Sequence, residues 1–197
     1  MGSKSRIGLS TPVLRLLVVG AFFVLCGVFI FKKEGNFSDS KYFGKWIGKP
    51  LPNGKIWDSE ENQIDFLSLF SQQKTGNQNK KIVVSMWATW CEPCIEELND
   101  LKNSKTELQG QGIEVVLLNY DGGIPQKTIP EVKAWLVAQG LELKTYFDLN
   151  EYFLKEVEIY SLPFSIGAEL GFDSPGKVQT KIAWLKNRAV NWDRLGF

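Results

Sequence analysis

The sequence predicts an α/β fold with parallel strand pairing, carried behind an apolar N-terminal span. Three observations lead there. A short apolar run, Ile82-Val83-Val84-Ser85-Met86-Trp87, is followed by an amphipathic stretch with apolar residues at 95, 98, 101 and 108. A second apolar run fills 113–118, and a capped helical pattern opens at Thr128 beyond it. Strand-length apolar runs alternating with helical patterns imply strands laid side by side with helices crossing over them. Ahead of all this, residues 13–31 are almost wholly apolar.

Taken in order, residues 1–12 are short, polar and basic. Residues 13–31 are interrupted only by Arg15 and by Gly20 and Gly27. At about 1.5 Å per residue such a helix reaches roughly 28 Å, close to the thickness of a bilayer core. Arg15 is near enough to one end to snorkel. No small-residue cleavage pattern follows the run, and Leu25 stands where a lipoprotein would need a small residue before Cys26. Lys4, Arg6 and Arg15 favour an N-terminus inside, although Lys32 and Lys33 flank the other end. The expectation is a single-pass, uncleaved anchor with the body outside the cytoplasm.

Residues 32–52 form a tether rich in Gly, Ser, Asn and Lys. Its Tyr42, Phe43 and Trp46 suit either the membrane interface or packing on the body. The body, 53–197, opens with Lys55-Ile-Trp-Asp-Ser and Gln63-Ile-Asp-Phe around the polar Glu60-Glu61-Asn62, a small hairpin. Residues 67–71 suit a short helix, and 72–79 a polar loop. After the 95–108 helix, Gly110-Gln-Gly112 is a stop signal, and the 113–118 run suits a parallel strand covered on both faces. Thr128-x-x-Glu131 is a capping box for a helix through Val132, Trp135 and Leu136, closed by Gly140. Residues 143–147 suit an edge strand and 150–157 a short helix. Ser161-Leu162-Pro163-Phe164 introduces an apolar stretch, and residues 178–184 make the last strand.

Composition removes several functions together. With 23 basic and 22 acidic residues, net charge +1, the chain carries no nucleic-acid signature. Three of the basic residues lie in the first 31, leaving 20 basic against 22 acidic residues in the remainder, 32–197. The 44% apolar and 23% charged content is that of a globular protein. Histidine is absent, so no Ser-His triad, His-ligated metal site or imidazole base is available. Three cysteines without histidine also fall short of the four ligands of a structural zinc site.

The chemistry concentrates at Trp90-Cys91-Glu92-Pro93-Cys94, between the first buried strand and its helix. At a helix start, free N–H groups and the helix dipole stabilise a thiolate on Cys91. Cys94 lies one turn along the same face and can close a disulfide with it. Pro93 has no N–H to lose in a first helical turn and stiffens the link. These residues specify a redox dithiol with no further cofactor.

The stretch Ser85-Met-Trp-Ala-Thr-Trp-Cys-Glu-Pro-Cys resembles the active-site segment of the thioredoxin superfamily, and most of all its membrane-tethered ResA/TlpA-like branch. The resemblance covers roughly residues 56–184. It implies a thioredoxin-like fold, a central mixed sheet flanked by helices with an N-terminal β-hairpin addition. It also implies a thiol–disulfide oxidoreductase at the bacterial cytoplasmic membrane, reducing extracytoplasmic protein disulfides, with cytochrome c maturation as a setting. Its partners would be protein disulfides and a membrane dithiol electron donor.

Residue by residue, the resemblance makes Cys91 the attacking thiolate, more exposed than Cys94, and Cys94 the resolving thiol. Glu97, three residues on, matches a glutamate that relays the proton of that thiol; a solvated surface charge is the competing reading. Pro163 resembles the family's cis-proline, so that Leu162 and Pro163, with Trp90, Glu92 and Pro93, would form the substrate groove. Glu92 places a like charge beside the thiolate and opposes a very low pKa. Three departures stand out. Ser85 replaces a buried acid of thioredoxin itself, Asn99 replaces a common helix proline, and the chain stops soon after Asn191-Trp-Asp, so the last helix is short or missing. The absence of histidine also disfavours the copper-delivery relatives. The same dithiol would serve a disulfide oxidase or isomerase; a redox-inactive binding module on this scaffold would not need both cysteines.

Overall fold

The computed structural model describes residues 42–71, 80–121, 127–174, 177–195 and 197. The expected anchor at 13–31, the basic segment before it, residues 32–41 of the tether and the polar loop at 72–79 lie outside the described residues. Among the described residues no helix is long and apolar enough to cross a membrane.

The centre of the molecule is one seven-stranded mixed sheet in the order β2-β1-β5-β4-β3-β6-β7. Strand β3 (Lys80–Trp87) pairs in parallel with β4 (Ile113–Asn119), Val84 opposite Val116. Buried on both faces, β3 is the continuous β-branched run that the sequence shows. Helix α1 (Glu92–Gly110) makes the crossover between them and ends before Gly112, whose φ of +71° only glycine adopts freely. Helix α2 (Ile129–Ala138) opens on the expected capping box: Thr128 Oγ1 accepts from the Glu131 N–H while Glu131 Oε2 accepts from the Thr128 N–H.

The expected hairpin is present as β1 (Lys55–Trp57) and β2 (Gln63–Asp65). Its position corrects one expectation. Strand β5 (Thr145–Phe147), expected at an edge, is interior: it pairs with β4 on one side, and Trp57 of β1 pairs with Phe147 on the other. All three of its residues are therefore buried. The hairpin takes the edge, with polar ends facing water.

Of the two places open to the tether's aromatic residues, Phe43 and Trp46 take the one on the body. The tether's described part, 42–52, is packed into the body. Phe43 is buried edge-on against Phe164, Leu51 is buried, and Trp46 packs beside them. Gly48 and Lys49 exchange backbone hydrogen bonds with Ile182 of β7 (Lys177–Lys186), both at 2.8 Å. Aromatic residues interspersed among polar ones here anchor a surface segment by burying their rings.

Two apolar layers sandwich the sheet. On one face Phe66 and Phe70, from a 3-10 turn, meet Phe153 of α3 (Tyr152–Val157), the Phe66 and Phe153 rings lying edge to face at 4.7 Å. Asp148 holds the start of α3: its carboxylate accepts the N–H groups of Tyr152 (2.9 Å) and Phe153 (2.7 Å) and the Tyr120 hydroxyl (2.8 Å). On the other face lie α1, α2 and the chain's end.

Among the described residues no full helix follows the last strand. After β6 (Phe164–Ser174) and β7, residues 190–195 run across α1 with a single 3-10 turn, Trp192–Arg194. Val190 and Trp192 are buried, and Phe197 packs on Trp184. Trp184 in turn lies flat over Gly167, where a Cβ would fall 2.1 Å from the indole. Glycine is required there by the close approach.

Candidate functional site

The dithiol sits where β3 gives way to α1. Cys91 is the N-cap of the helix: its backbone is extended and its carbonyl accepts from the N–H groups of Cys94 (3.0 Å) and Ile95 (3.2 Å). Pro93 stands in the first turn, where its missing N–H costs nothing. The two sulfur atoms are bonded, with S–S 1.98 Å and Cα–Cα 5.2 Å. Both cysteines are buried, Cys91 5% exposed and Cys94 1%, so the expected difference in exposure is small in this oxidised form.

Trp90, Glu92 and Pro93 are exposed around the dithiol, Trp90 by 54%. Leu162 and Pro163 reach the same end of the sheet through pairing. Strand β6 runs antiparallel to β3 with Phe164 opposite Met86, so the residues just before β6 stand beside the end of β3. Half-buried Leu162 packs against the apolar layer that contains Cys91 and Cys94, and the Leu162–Pro163 peptide bond is cis. The expected groove residues are thus brought together.

Glu97 is not a surface charge. It is 2% exposed, one turn beyond Cys94 on the inner side of α1. Oε1 accepts from the Ser85 hydroxyl at 3.0 Å. Ser85 and Ser165 are directly opposed across β3 and β6, and both underlie the carboxyl. Glu97 Oε2 and Ser165 Oγ are buried without a hydrogen-bond partner of normal geometry. Burial pushes the Glu97 carboxyl up from 4.5 to about 7; the Ser85 hydrogen bond and the nearby Val190 N–H and Ser165 hydroxyl pull against it, and Asp100 adds to the rise. A carboxyl that changes charge near neutrality can take or return a thiol proton. The position where thioredoxin itself has an acid is therefore filled by a hydroxyl that hydrogen-bonds an acid from the neighbouring helix.

Other parts of the site escaped the sequence reading. Asp121, fully buried after β4, accepts from the Thr89 N–H (2.9 Å), the Thr89 hydroxyl (2.7 Å) and Asn119 Nδ2 (2.7 Å). Lys127 in turn donates to Thr89 Oγ1. This network clamps the turn that delivers Cys91. A signal existed in Asn119-Tyr-Asp121, polar residues directly at the end of an apolar strand, but it was legible only as a loop. Tyr160, 81% exposed two residues before Leu162, was likewise unmarked. Asn99 spans its own turn, Nδ2 donating to the Ile95 carbonyl, and α1 runs unbroken past it.

Among the described residues no group of three or more histidine, cysteine or carboxylate side chains is placed to hold a metal ion. A cavity of about 430 Å³ lies at the far end of α1, between Leu101, Leu108, Val115 and Leu143. It is not part of the dithiol site, which is an open surface suited to a protein chain.

Comparison with known proteins agrees with this geometry. The model of the AhpC/TSA family matches residues 47–180. The thiol-disulfide oxidoreductase ResA of a Bacillus cereus strain is 26% identical over 160 residues, 81% of this chain and 82% of that protein. The thiol:disulfide interchange protein DsbE of Escherichia coli is 35% identical over 74 residues, 38% of this chain and 35% of its own length. The crystal structure of StoA from Bacillus subtilis superposes with a TM-score of 0.50 at 18% identity, covering 72% of this chain and 92% of that one. That last likeness is one of fold.

Proposed function

This chain belongs to the AhpC/TSA family and has a thioredoxin-like fold; on that premise we propose that it is a membrane-anchored reductase of extracytoplasmic protein disulfides. Thiol–disulfide oxidoreductase activity is its class. The finer reading rests on one observation: a dithiol at a helix N-terminus, with a carboxyl that titrates near neutrality buried one turn beyond it.

In the forward reaction the reduced Cys91 thiolate attacks a substrate disulfide. One substrate sulfur becomes bonded to Cys91 and the other leaves as a thiolate, which takes up a proton. Glu97 then accepts the Cys94 proton, and the Cys94 thiolate attacks the Cys91 sulfur. This closes Cys91–Cys94 and expels the second substrate thiolate, which takes the proton back. Two electrons have moved from the chain to the substrate. A membrane dithiol restores them by the reverse exchange. The Leu162–Pro163 edge and the exposed Trp90 supply the surface along which an extended substrate segment lies.

The anchor reading rests on the 19 apolar residues at 13–31, and a role in cytochrome c maturation rests on the likeness to its relatives. The corresponding oxidase would use the same atoms with the electron flow reversed.

The test is capture. Cys94→Ser stops the cycle at the Cys91 mixed disulfide, because nothing beside it displaces the bound partner. Isolating the full-length variant from membranes under non-reducing conditions, then releasing partners with dithiothreitol, should yield extracytoplasmic cysteine-bearing proteins. Recovery of only cytoplasmic proteins overturns the orientation, and equal recovery from Cys91→Ser/Cys94→Ser overturns the mechanism. A Cys91/Cys94 reduction potential near or below about −250 mV fits a reductase, and one near about −120 mV an oxidase.

A further inference from the structure

The carboxyl of Glu97 is enclosed from two directions by the sheet, through Ser85 on β3 and Ser165 on β6. A third side is closed by the end of the chain. The Val190 N–H lies beside the carboxyl and favours its charged form. Trp192, 4% exposed, donates from its indole Nε1 to the backbone carbonyl of Glu97 at 3.0 Å. That carbonyl belongs to the helix ladder, so the indole occupies its second acceptor site and ties the strap to α1 at the very residue whose side chain it covers.

The strap is fixed on either side of this contact. Asn191 Oδ1 accepts from the Asp193 N–H and shapes the 3-10 turn. Beyond it Leu195 and Phe197 pack onto the same apolar layer, with Phe197 against Trp184 and beneath the Lys81 ammonium. The charged side chains on the strap, Asp193 and Arg194, and Arg188 just before it, are all exposed. What it brings to the buried carboxyl is therefore an N–H group and an apolar wall. The other groups that bear on Glu97 are Asp100 on its own helix and the two serine hydroxyls of the sheet.

We propose that the strap of residues 190–195 is a positioning device for Glu97, in which Trp192 holds the wall that keeps water from the carboxyl and so sets how readily it exchanges a proton with Cys94. Trp192 hydrogen-bonds the Glu97 backbone and acts through that residue. The physical basis is that a carboxyl held in an apolar surround keeps its proton to higher pH, and letting water reach it releases that constraint. The proposal rests on the thiol–disulfide reading above, but the carboxyl can be watched without turnover.

The experiment follows the Glu97 carboxyl carbon by NMR in the full chain, in detergent micelles, labelled with carbon-13 glutamate and assigned by comparison with Glu97→Gln. The unmodified chain should titrate with a midpoint near the value of about 7. In Trp192→Ala the midpoint should fall by about one pH unit or more, and the pH profile of mixed-disulfide resolution should move with it. A merely structural role would lower the melting temperature while leaving the midpoint in place. If Trp192→Ala does not fold, Trp192→Phe carries the test: it keeps a six-membered aromatic ring in the wall but loses the five-membered ring with its N–H, so the midpoint should fall by a few tenths. An unchanged midpoint in the folded variant, whatever its stability, overturns the proposal. Failure of the unmodified chain to reduce any disulfide, with the midpoint shift intact, would instead overturn the reductase reading.

Discussion

Asp121 and Thr89 meet twice: the buried carboxylate accepts both the Thr89 backbone N–H at 2.9 Å and its hydroxyl at 2.7 Å. Thr89 is two residues ahead of Cys91, so this pair ties the turn carrying the attacking sulfur to the end of β4. Asp121→Ala would leave the Thr89 N–H and the Asn119 amide without an acceptor in a dry site. The expected cost is about 2–4 kcal/mol, read by denaturant unfolding. Because the turn positions Cys91, reduction of a model disulfide should also slow by roughly tenfold to a hundredfold. A stable variant with unchanged rate would reduce the network to ornament on a loop.

Glu97 should make stability fall as pH rises. Folded, its carboxyl keeps a proton to about pH 7; unfolded, it releases it around the ordinary 4.5. Between these values the folded chain binds more protons than the unfolded one, so raising pH drains stability across that window. The loss should be on the order of 2–3 kcal/mol for this 2%-exposed group, and complete by about pH 8. Glu97→Gln should lack this slope and also flatten the pH dependence of mixed-disulfide resolution. Parallel stability–pH curves for the two proteins would contradict the assignment.

Cys91 should alkylate before Cys94 once the disulfide is reduced. It caps the helix, where the N-terminal dipole favours the thiolate, and it is the less buried residue, if only by 5% against 1%. Limited labelling of the reduced chain with iodoacetamide, mapped by mass spectrometry, checks the order. Faster modification of Cys94 would exchange the two roles.

Asp148 offers a prediction away from the chemistry. Its carboxylate is 1% exposed, burial raises its pKa, and it caps α3 while accepting the Tyr120 hydroxyl. Asp148→Ala strands three donors and should destabilise by about 2–4 kcal/mol, while Asp148→Asn, which keeps an acceptor oxygen, should lose about half as much. Neither change should alter the alkylation order of the cysteines, since α3 packs on the opposite face of the sheet from α1.

Local physics made much of this protein legible in its residues. The β-branched run of β3, the capping box at Thr128 and Glu131, the Gly112 stop and the dithiol at a strand-to-helix junction each have a cause within a few positions of chain. So the identity of the strands and helices, and the place of Cys91, Pro93 and Cys94, follow from sequence alone. What the sequence could not decide were questions of which surfaces meet. Residues 143–147 read as an edge strand because nothing in them reports that β1 will pair along their free side. Glu97 read equally as a surface charge or a proton relay, because helical spacing gives its neighbours on α1 but not Ser85, Ser165 and Val190, contributed by two strands and the chain's end. Asp121 carries no local sign of its role for the same reason, its partner Thr89 lying 32 residues back. Burial is a property of the assembled sheet and its covering layers. Only the tertiary structure could turn a glutamate at ordinary helical spacing into a carboxyl that titrates near neutrality.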